Sequence, residues 1–207
     1  SNAMYIKVCG LTDPHAIDAA QAAHVDAIGF VHAPTSPRHL TPPHISTLTA
    51  TVDCTIDTVL VVATTPIADA LALAESTGVS VLQLHGQYSD DDVAYAAARF
   101  PRVWRATSLS ASPNLTVGAY GEELLLLDAP QAGSGHTWDF AALAHRRPTG
   151  RWLLAGGLTP DNVADAITTT SPWGVDVSSG VESAPGVKDP AKIAAFVQAA
   201  RGVSCPR

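Results

Sequence analysis

The chain has 207 residues, of which 46% are hydrophobic and 15% are charged, a balance typical of one globular domain with a substantial core. Its formal net charge of −7, without any concentrated run of Lys and Arg, argues against a nucleic-acid partner. Its longest apolar stretches are far shorter than the ~20 residues that span a bilayer, so we expect no membrane segment.

Residues 1–3 precede Met4 and are typical of an expression-tag scar, so the predicted domain is 4–207. No apolar secretory segment follows Met4, and we expect a cytoplasmic location. Cys9, Cys54 and Cys205 are widely spaced and form no CxxC pair, which predicts neither a disulfide framework nor a zinc site. The eight histidines show no HxH or HExxH spacing, so we expect no bound metal.

Short apolar runs alternate along the chain with longer Ala-rich stretches of helical periodicity, a pattern that indicates repeated βα units. We predict eight strands, at Tyr5–Cys9, Ala27–Val31, Thr58–Val62, Ser80–Leu84, Val103–Ala106, Glu123–Asp128, Trp152–Ala155 and Val175–Val177. We predict helices at Pro14–Ala23, Pro66–Thr77, Asp90–Phe100, Asp139–His145, Pro160–Thr169 and Pro190–Arg201, with two more weakly marked helices near His44–Thr51 and Leu115–Tyr120.

The strands are continuous apolar runs, which suit a parallel sheet covered on both faces. Eight βα units of roughly 25 residues predict a single-domain α/β fold, the (β/α)8 or TIM barrel. The alternative is a doubly wound open sheet. That fold predicts a glycine-rich dinucleotide loop after the first strand, and Cys9-Gly10-Leu11-Thr12 contains no GxGxxG.

In a parallel barrel the carboxyl ends of all strands meet at one rim, where active sites are built. The sequence therefore predicts a single site from the residues at these strand ends and in the loops that follow. These residues are Cys9, Arg38, Gln83, His85, Asp128, Gly156, Gly157, Ser178, Ser179 and Gly180.

Two glycine-bearing turns, at 155–160 and 177–180, are predicted to bind phosphate through backbone N–H groups. Barrels often bind phosphate at the loops after strands seven and eight. We expect Thr159 to cap the following helix, with Pro160 at its first position. The alternative for each turn is a tight connection with no ligand.

Cys9 ends an apolar strand and is expected to present its thiol at the rim, with Lys7 on the same face of the strand as a source of positive charge. Asp128 follows four leucines, and partial desolvation there raises a carboxyl pKa towards the range of a general acid. The alternatives are an inert buried thiol and an aspartate that caps a turn before Pro130. Cys54 and Cys205 are interpreted as structural.

Motifs in a characteristic order run across almost the whole chain and together resemble the phosphoribosylanthranilate isomerase family of tryptophan biosynthesis. They are Lys7-Val8-Cys9-Gly10-Leu11-Thr12, Ile28-Gly29-Phe30, Ser36-Pro37-Arg38, Gln83-Leu84-His85-Gly86, Leu126-Leu127-Asp128, Gly133-Ser134-Gly135, Ala155-Gly156-Gly157-Leu158, Asp176-Val177-Ser178-Ser179-Gly180-Val181-Glu182 and Pro185-Gly186-Val187-Lys188-Asp189.

The resemblance implies a cofactor-free Amadori rearrangement of N-(5′-phosphoribosyl)anthranilate to 1-(2-carboxyphenylamino)-1-deoxyribulose 5-phosphate. It implies Cys9 as general base, Asp128 as general acid and the late glycine turns as the phosphate site. Arg38 is implied to bind substrate, and Gln83 and His85 are assigned the same role. We expect Arg38, across the rim from the phosphate turns, to pair with the anthranilate carboxylate. The alternative is a surface arginine paired with a nearby acid.

Two rival functions stay open on the sequence. One is the related histidine-pathway isomerase, which performs the same rearrangement with two aspartates, and the other is a catalytically silent phosphosugar-binding barrel. The expected partner is a small phosphosugar; the oligomeric state is open and a monomer is compatible with the sequence. The chain departs from the family at His24, usually glycine, and at His32, usually phenylalanine, and these changes are expected to affect the rim loops.

Overall fold

The computed structural model describes residues 3–130 and 138–203. Eight parallel strands in these ranges close into a barrel in which each strand pairs with the next along the chain and the eighth pairs with the first. The strands are β1 (Tyr5–Cys9), β2 (Ala27–His32), β3 (Asp57–Val62), β4 (Val81–His85), β5 (Val103–Ser108), β6 (Leu124–Asp128), β7 (Trp152–Ala155) and β8 (Gly174–Val177). The predicted single-domain (β/α)8 barrel is confirmed.

The described residues also contain seven α-helices and one short antiparallel hairpin. The helices are α1 (Pro14–Ala22), α2 (Pro42–Thr49), α3 (Ile67–Thr77), α4 (Asp90–Ala97), α5 (Ala141–Ala144), α6 (Val163–Thr170) and α7 (Pro190–Arg201). The hairpin consists of β9 (Glu182–Ala184) and β10 (Val187–Lys188), which follow β8 directly. None of the helices in these ranges is long and apolar enough to cross a membrane.

All eight predicted strands are present, and each strand begins and ends within two residues of its predicted bounds. The predicted helix at Leu115–Tyr120 is wrong: these residues form turns, with an isolated bridge between Thr116 and Thr149. Gly118 and Gly121 have φ angles of 87° and 88°, in the left-handed region that a helix does not accommodate.

The start predicted for α6 is also wrong. The helix begins at Val163, three residues after Pro160. Thr159 Oγ1 accepts a hydrogen bond from Asn162 N, and Asn162 Oδ1 accepts one from Thr159 N, so the two residues close a turn ahead of the helix. Thr159 therefore stabilises the loop that connects β7 to α6 rather than the helix itself.

His24 lies between α1 and β2, at the amino end of the barrel, so the expectation that this departure touches the rim is wrong. Its φ angle is 59°, a left-handed conformation that glycine adopts with less strain. The family's usual glycine at this position has a backbone explanation rather than a functional one.

Side chains along each strand alternate between two apolar layers. One layer fills the barrel interior and includes Ala27, Val59, Trp104, Leu126 and Leu153. The other lies between the barrel and the helices. Because both faces are apolar, the strands show no polar alternation in the sequence, which is the pattern from which a covered parallel sheet was predicted.

An ion-pair network closes the amino end of the barrel. Arg102 donates to Asp57 Oδ1 at 2.6 Å and to Glu123 Oε1 at 2.8 Å, while Tyr5 Oη donates to Asp57 at 2.6 Å. Burial works to raise the pKa of both carboxyl groups, but the hydrogen bonds from Arg102, Tyr5 and Trp104 outweigh it and hold both pKa values below their ordinary range.

We expect Arg102→Gln to lower the free energy of unfolding at pH 7 by about 1–2 kcal/mol, because it removes charge-assisted hydrogen bonds from partly exposed partners. The depressed pKa values of Asp57 and Glu123 stabilise the folded state above the ordinary carboxyl range, and this contribution is lost as the pH falls through the folded-state values. The difference between variant and parent should therefore shrink below about pH 4.

Urea unfolding between about pH 3 and 8 measures this difference. Arg99→Gln is the matched control, since Arg99 is exposed just after α4 and its contacts with described side chains are confined to Tyr95, whose carbonyl it donates to. A constant difference at all pH values would show that the network does not act through these carboxylates.

Candidate active site

A cavity of about 410 Å³ opens at the carboxyl ends of the barrel strands. All ten residues that the sequence predicted for the site line it: Cys9, Arg38, Gln83, His85, Asp128, Gly156, Gly157, Ser178, Ser179 and Gly180. This volume lies within the ~300–1,000 Å³ range of small-molecule sites. The convergence of these residues follows from strand direction alone, because the loops that carry them are far apart in the sequence.

Cys9 is the last residue of β1, and its side chain lies at the floor of the cavity. It is 8% exposed. Burial raises the pKa of its thiol, and the ammonium group of Lys7 opposes this effect. The thiol is therefore positioned to reach a ligand in the cavity, while its ionisation depends on the charges that surround it.

Asp128 ends β6, which β7 and β8 separate from β1 around the closed barrel, and its side chain lines the same cavity. Burial raises the pKa of this carboxyl group, and the nearby His85 works in the other direction, with His85 Nε2 3.8 Å from Asp128 Oδ2. A carboxylic acid with a raised pKa can donate a proton nearer to neutral pH than an exposed aspartate can. The geometry thus suits Asp128 to the role of a proton donor.

The two predicted phosphate turns contact each other at the rim. A Cβ atom on Gly180 would lie 1.8 Å from the Leu158 carbonyl oxygen, so only glycine allows this approach. Gly156 and Gly157 have φ angles of 88° and 68°, and the Trp138 indole packs directly against Gly157. The connection after β7 is further fixed by Asn162 Nδ2, which donates to the Gly157 carbonyl at 2.8 Å.

Arg38 is paired with an acid inside the site. Its Nε and Nη2 donate to Glu182 at 2.8 and 2.6 Å, and Lys188 Nζ donates to the same carboxylate at 2.8 Å. Arg38 also packs over Gly10, where a Cβ atom would meet Arg38 Cδ at 2.3 Å and Ser178 Oγ at 3.1 Å.

These contacts show that the expected position of Arg38, across the rim from both phosphate turns, is wrong for the turn after β8. In the closed barrel only β1 separates β2 from β8, and the Arg38 side chain crosses this strand to reach Glu182 just after β8.

Gln83 and His85 project from the end of β4. Gln83 is 2% exposed, and its Oε1 atom accepts no hydrogen bond from any described residue. An unpaired buried acceptor that lines a cavity is a natural contact for a ligand hydroxyl or N–H group. The side chain of His85 is 41% exposed and lies beside Asp128.

Asp176 and Trp138 also line the cavity, and neither was predicted as a site residue from the sequence. Asp176 had a usable signal, a charged residue inside the apolar strand β8, which is the same feature that identified Asp128. Trp138 had no such signal in the sequence, since its contact with Gly157 depends on the path of the chain after β6. Cys54 is an exposed free thiol, while Cys205 and the motif Gly133-Ser134-Gly135 lie outside the described residues.

Closure of eight parallel strands, with the cavity at their carboxyl ends, defines a (β/α)8-barrel enzyme. Residues 6–199 match the family model described as N-(5′-phosphoribosyl)anthranilate isomerase. The chain belongs to this family. Among the described residues, no group of three or more His, Cys, Asp or Glu side chains is arranged to hold a metal ion.

Curated relatives carry the same name. The N-(5′-phosphoribosyl)anthranilate isomerase of Deinococcus radiodurans is 42% identical over 95% of this chain and 96% of its own length. That of Rippkaea orientalis is 37% identical over 92% of this chain and 93% of its own length.

Solved structures of the family share the fold. The phosphoribosylanthranilate isomerase of Thermotoga maritima superposes with a TM-score of 0.85 at 31% identity, over 97% of this chain and 100% of its own. Another, solved in complex with reduced 1-(o-carboxyphenylamino)-1-deoxyribulose 5-phosphate, has a TM-score of 0.83 at 29% identity with the same coverage.

Proposed function

We propose that this chain isomerises N-(5′-phosphoribosyl)anthranilate to 1-(2-carboxyphenylamino)-1-deoxyribulose 5-phosphate in tryptophan biosynthesis, with Asp128 as general acid and Cys9 as general base. The observation that carries the proposal is the convergence of a buried thiol, a carboxyl group of raised pKa and two touching glycine turns in one cavity. Family membership supplies the reaction class.

The chemistry requires two proton transfers at separate positions of one substrate. Asp128 donates a proton to the furanose ring oxygen, and cleavage of the C1′–O bond gives an open-chain iminium conjugated with the anthranilate ring. The iminium acidifies the C2′ proton, which the Cys9 thiolate removes, and the electron pair moves to neutralise the nitrogen. The resulting enolamine gains a proton at C1′ and loses the O2′ proton to form the ketone.

The geometry also favours this function over its rivals. The histidine-pathway isomerase relies on two aspartates, whereas the residue that ends β1 here is Cys9. A silent phosphosugar-binding barrel has no use for a carboxyl group and a thiol that line the same cavity. The direct test is the loss of anthranilate-type fluorescence when the enzyme is added to freshly generated substrate. Turnover of the histidine-pathway aminosugar in place of this substrate would contradict the proposal.

The described residues of one chain already form the cavity, and we propose that a monomer is functionally complete. The Thermotoga maritima relative is described as dimeric, and a structure of monomers generated from it has also been solved. We also propose a cytoplasmic location, because a biosynthetic enzyme whose base is a free thiol needs a reducing compartment.

Cys9→Ala and Asp128→Asn should each lower kcat by about 100- to 10,000-fold, because each removes one proton transfer. Substrate binding should persist, as measured by the affinity for a reduced product analogue. Cys54→Ala, which removes an exposed thiol outside the cavity, is the control and should leave kcat unchanged. Near-normal turnover by either catalytic variant, purified free of host enzyme, would remove that residue from the mechanism.

The phosphate group should bind the backbone N–H groups of Gly156, Gly157, Ser179 and Gly180, beside Ser178. Gly157→Ala should raise KM by about tenfold or more, because a Cβ atom there displaces Trp138 and the loop loses its fit to a dianion. Gly86→Ala is the matched control: Gly86 also has a positive φ, but a Cβ atom there meets open space.

A crystal structure with the product analogue locates the phosphate directly. Density for the phosphate elsewhere on the rim, or an equal rise in KM for both glycine variants, would contradict this assignment.

Arg38 should pair with the anthranilate carboxylate through the part of its guanidinium group that Glu182 leaves free. Arg38→Lys should then raise KM for the full substrate by several-fold or more, because an ammonium group cannot reproduce the planar fork. The inhibition constant of ribose 5-phosphate, which lacks the anthranilate, should barely change. Arg102→Lys, the same substitution at the amino end of the barrel, should leave both constants unchanged.

Equal weakening of substrate and ribose 5-phosphate by Arg38→Lys would place Arg38 at the phosphate or in the scaffold. The bidentate pair with Glu182 makes this outcome a meaningful alternative, since the same arginine also contacts the segment after β8.

A further inference from the structure

Lys7 is fully buried inside the barrel, although lysine is among the residues that are most rarely buried. It lies on β1 two residues before Cys9, so both side chains project from the same face of the strand into the interior. The strand register places Lys7 beside Ala27 of β2 and Asp176 of β8. Apolar side chains such as Val59, Leu126 and Leu153 occupy the rest of this interior.

The buried charge of Lys7 is balanced by Asp176, with Lys7 Nζ 3.1 Å from Asp176 Oδ1. An ion pair in an apolar interior contributes little to stability, because desolvation of both charges offsets their attraction. Neither Nζ nor Oδ1 makes a hydrogen bond of good geometry with any described residue. Lys7 therefore retains donor capacity that the fold itself does not use.

The missing side chain of Gly29 brings the Lys7 ammonium group and the Cys9 thiol together. Gly29 pairs with Cys9 in the β1–β2 register. A Cβ atom on Gly29 would lie 2.7 Å from Cys9 Sγ and 3.2 Å from Lys7 Cε, so the thiol and the end of the lysine side chain share the space above this glycine.

We propose that Lys7 is a positioning residue that stabilises the thiolate form of Cys9 against the effect of burial, with Asp176 keeping the lysine charged and in place. This inference rests on the proposed role of Cys9 as general base, and it supplies the positive charge that a buried thiol needs in order to ionise. A buried thiol resists ionisation, and a fixed cation next to the sulfur is the usual physical remedy.

The other charges around the thiol do not replace Lys7. Arg38 and Lys188 also lie near Cys9, but both are bound to the carboxylate of Glu182. Asp128 and His85 line the same cavity from β6 and β4.

Lys7 is the strongest of the charges that oppose the effect of burial on Cys9. The pKa of Cys9 is raised overall, because burial outweighs the neighbouring cations, and Lys7 lowers it more than any other charge does. Burial also works to lower the pKa of Lys7, but Asp176 and Cys9 outweigh it, so the amine stays protonated.

The test follows the alkylation of Cys9 by iodoacetamide as a function of pH, in protein whose other thiols are removed by Cys54→Ser and Cys205→Ser. Lys7→Met and Lys7→Gln are introduced into this background, and circular dichroism establishes that each variant is folded. We expect both substitutions to move the alkylation midpoint upward by about one pH unit or more, since a neighbouring cation typically lowers a pKa by ~1–3 units.

The acid limb of the pH profile of kcat/KM should move upward with the alkylation midpoint, so that activity recovers in part at high pH. An unchanged midpoint in a folded variant, or a loss of activity that is the same at every pH, would overturn the proposal and leave Lys7 a structural residue.

A second measurement needs no substitution at Lys7. The NMR resonance of its Nζ should show a step at the pH of the Cys9 alkylation midpoint, and this step should be absent in Cys9→Ser. A Lys7 Nζ resonance that does not change as Cys9 ionises would also overturn the proposal. If Cys9→Ala kept full activity, the proposed base would be wrong, whereas the alkylation and NMR results would still report whether Lys7 controls the thiol.

Discussion

Closure of a parallel sheet imposes an alternation on every strand, because one residue of each successive pair must enter the barrel and the other must face a helix. The strands run in one direction, so the last inward position of each strand falls at the same rim. Cys9 of β1, Gln83 of β4 and Asp128 of β6 reach one cavity for this reason alone. The site therefore depends on register: a shift of one residue in any of these strands would direct its functional side chain towards the helices.

Charge is distributed differently at the two ends of the barrel. At the amino end, Arg102, Asp57 and Glu123 are partly exposed and fully hydrogen-bonded, an arrangement that favours the folded state. Nearer the carboxyl end, the buried Lys7 pairs with the largely buried Asp176, and Nζ and Oδ1 make no hydrogen bond with any described residue. The contribution of the Arg102 network to stability explains its presence. The Lys7–Asp176 pair has no such explanation, and charged groups of this kind beside a cavity are candidates for a functional role.

The strands could be predicted from sequence because they are short apolar runs between glycine-, proline- or aspartate-bearing turns, and the site followed from the strand ends. The predictions that were wrong concern features that depend on contacts between segments far apart in the sequence. The Leu115–Tyr120 segment is only weakly marked as a helix in the sequence, and in the structure Gly118 and the bridge from Thr116 to Thr149 hold it in turns. The position of Arg38 was misjudged because distance along the chain was taken as distance around the rim, whereas closure puts β2 close to β8.

Glu182 connects the two ends of the proposed substrate site. Its carboxylate binds Arg38 on one side and Lys188 on the other, and Lys188 Nζ also donates to the Ser178 carbonyl at 3.0 Å. Hydrogen bonds to two cations lower the pKa of Glu182 despite its burial, so the carboxylate stays charged and both pairs persist at neutral pH. The loop after β2 and the glycine turn after β8 are thus joined through one side chain. If the substrate spans these two segments as we propose, their connection through Glu182 holds both in place before binding, and this preorganisation lowers the entropy lost on binding.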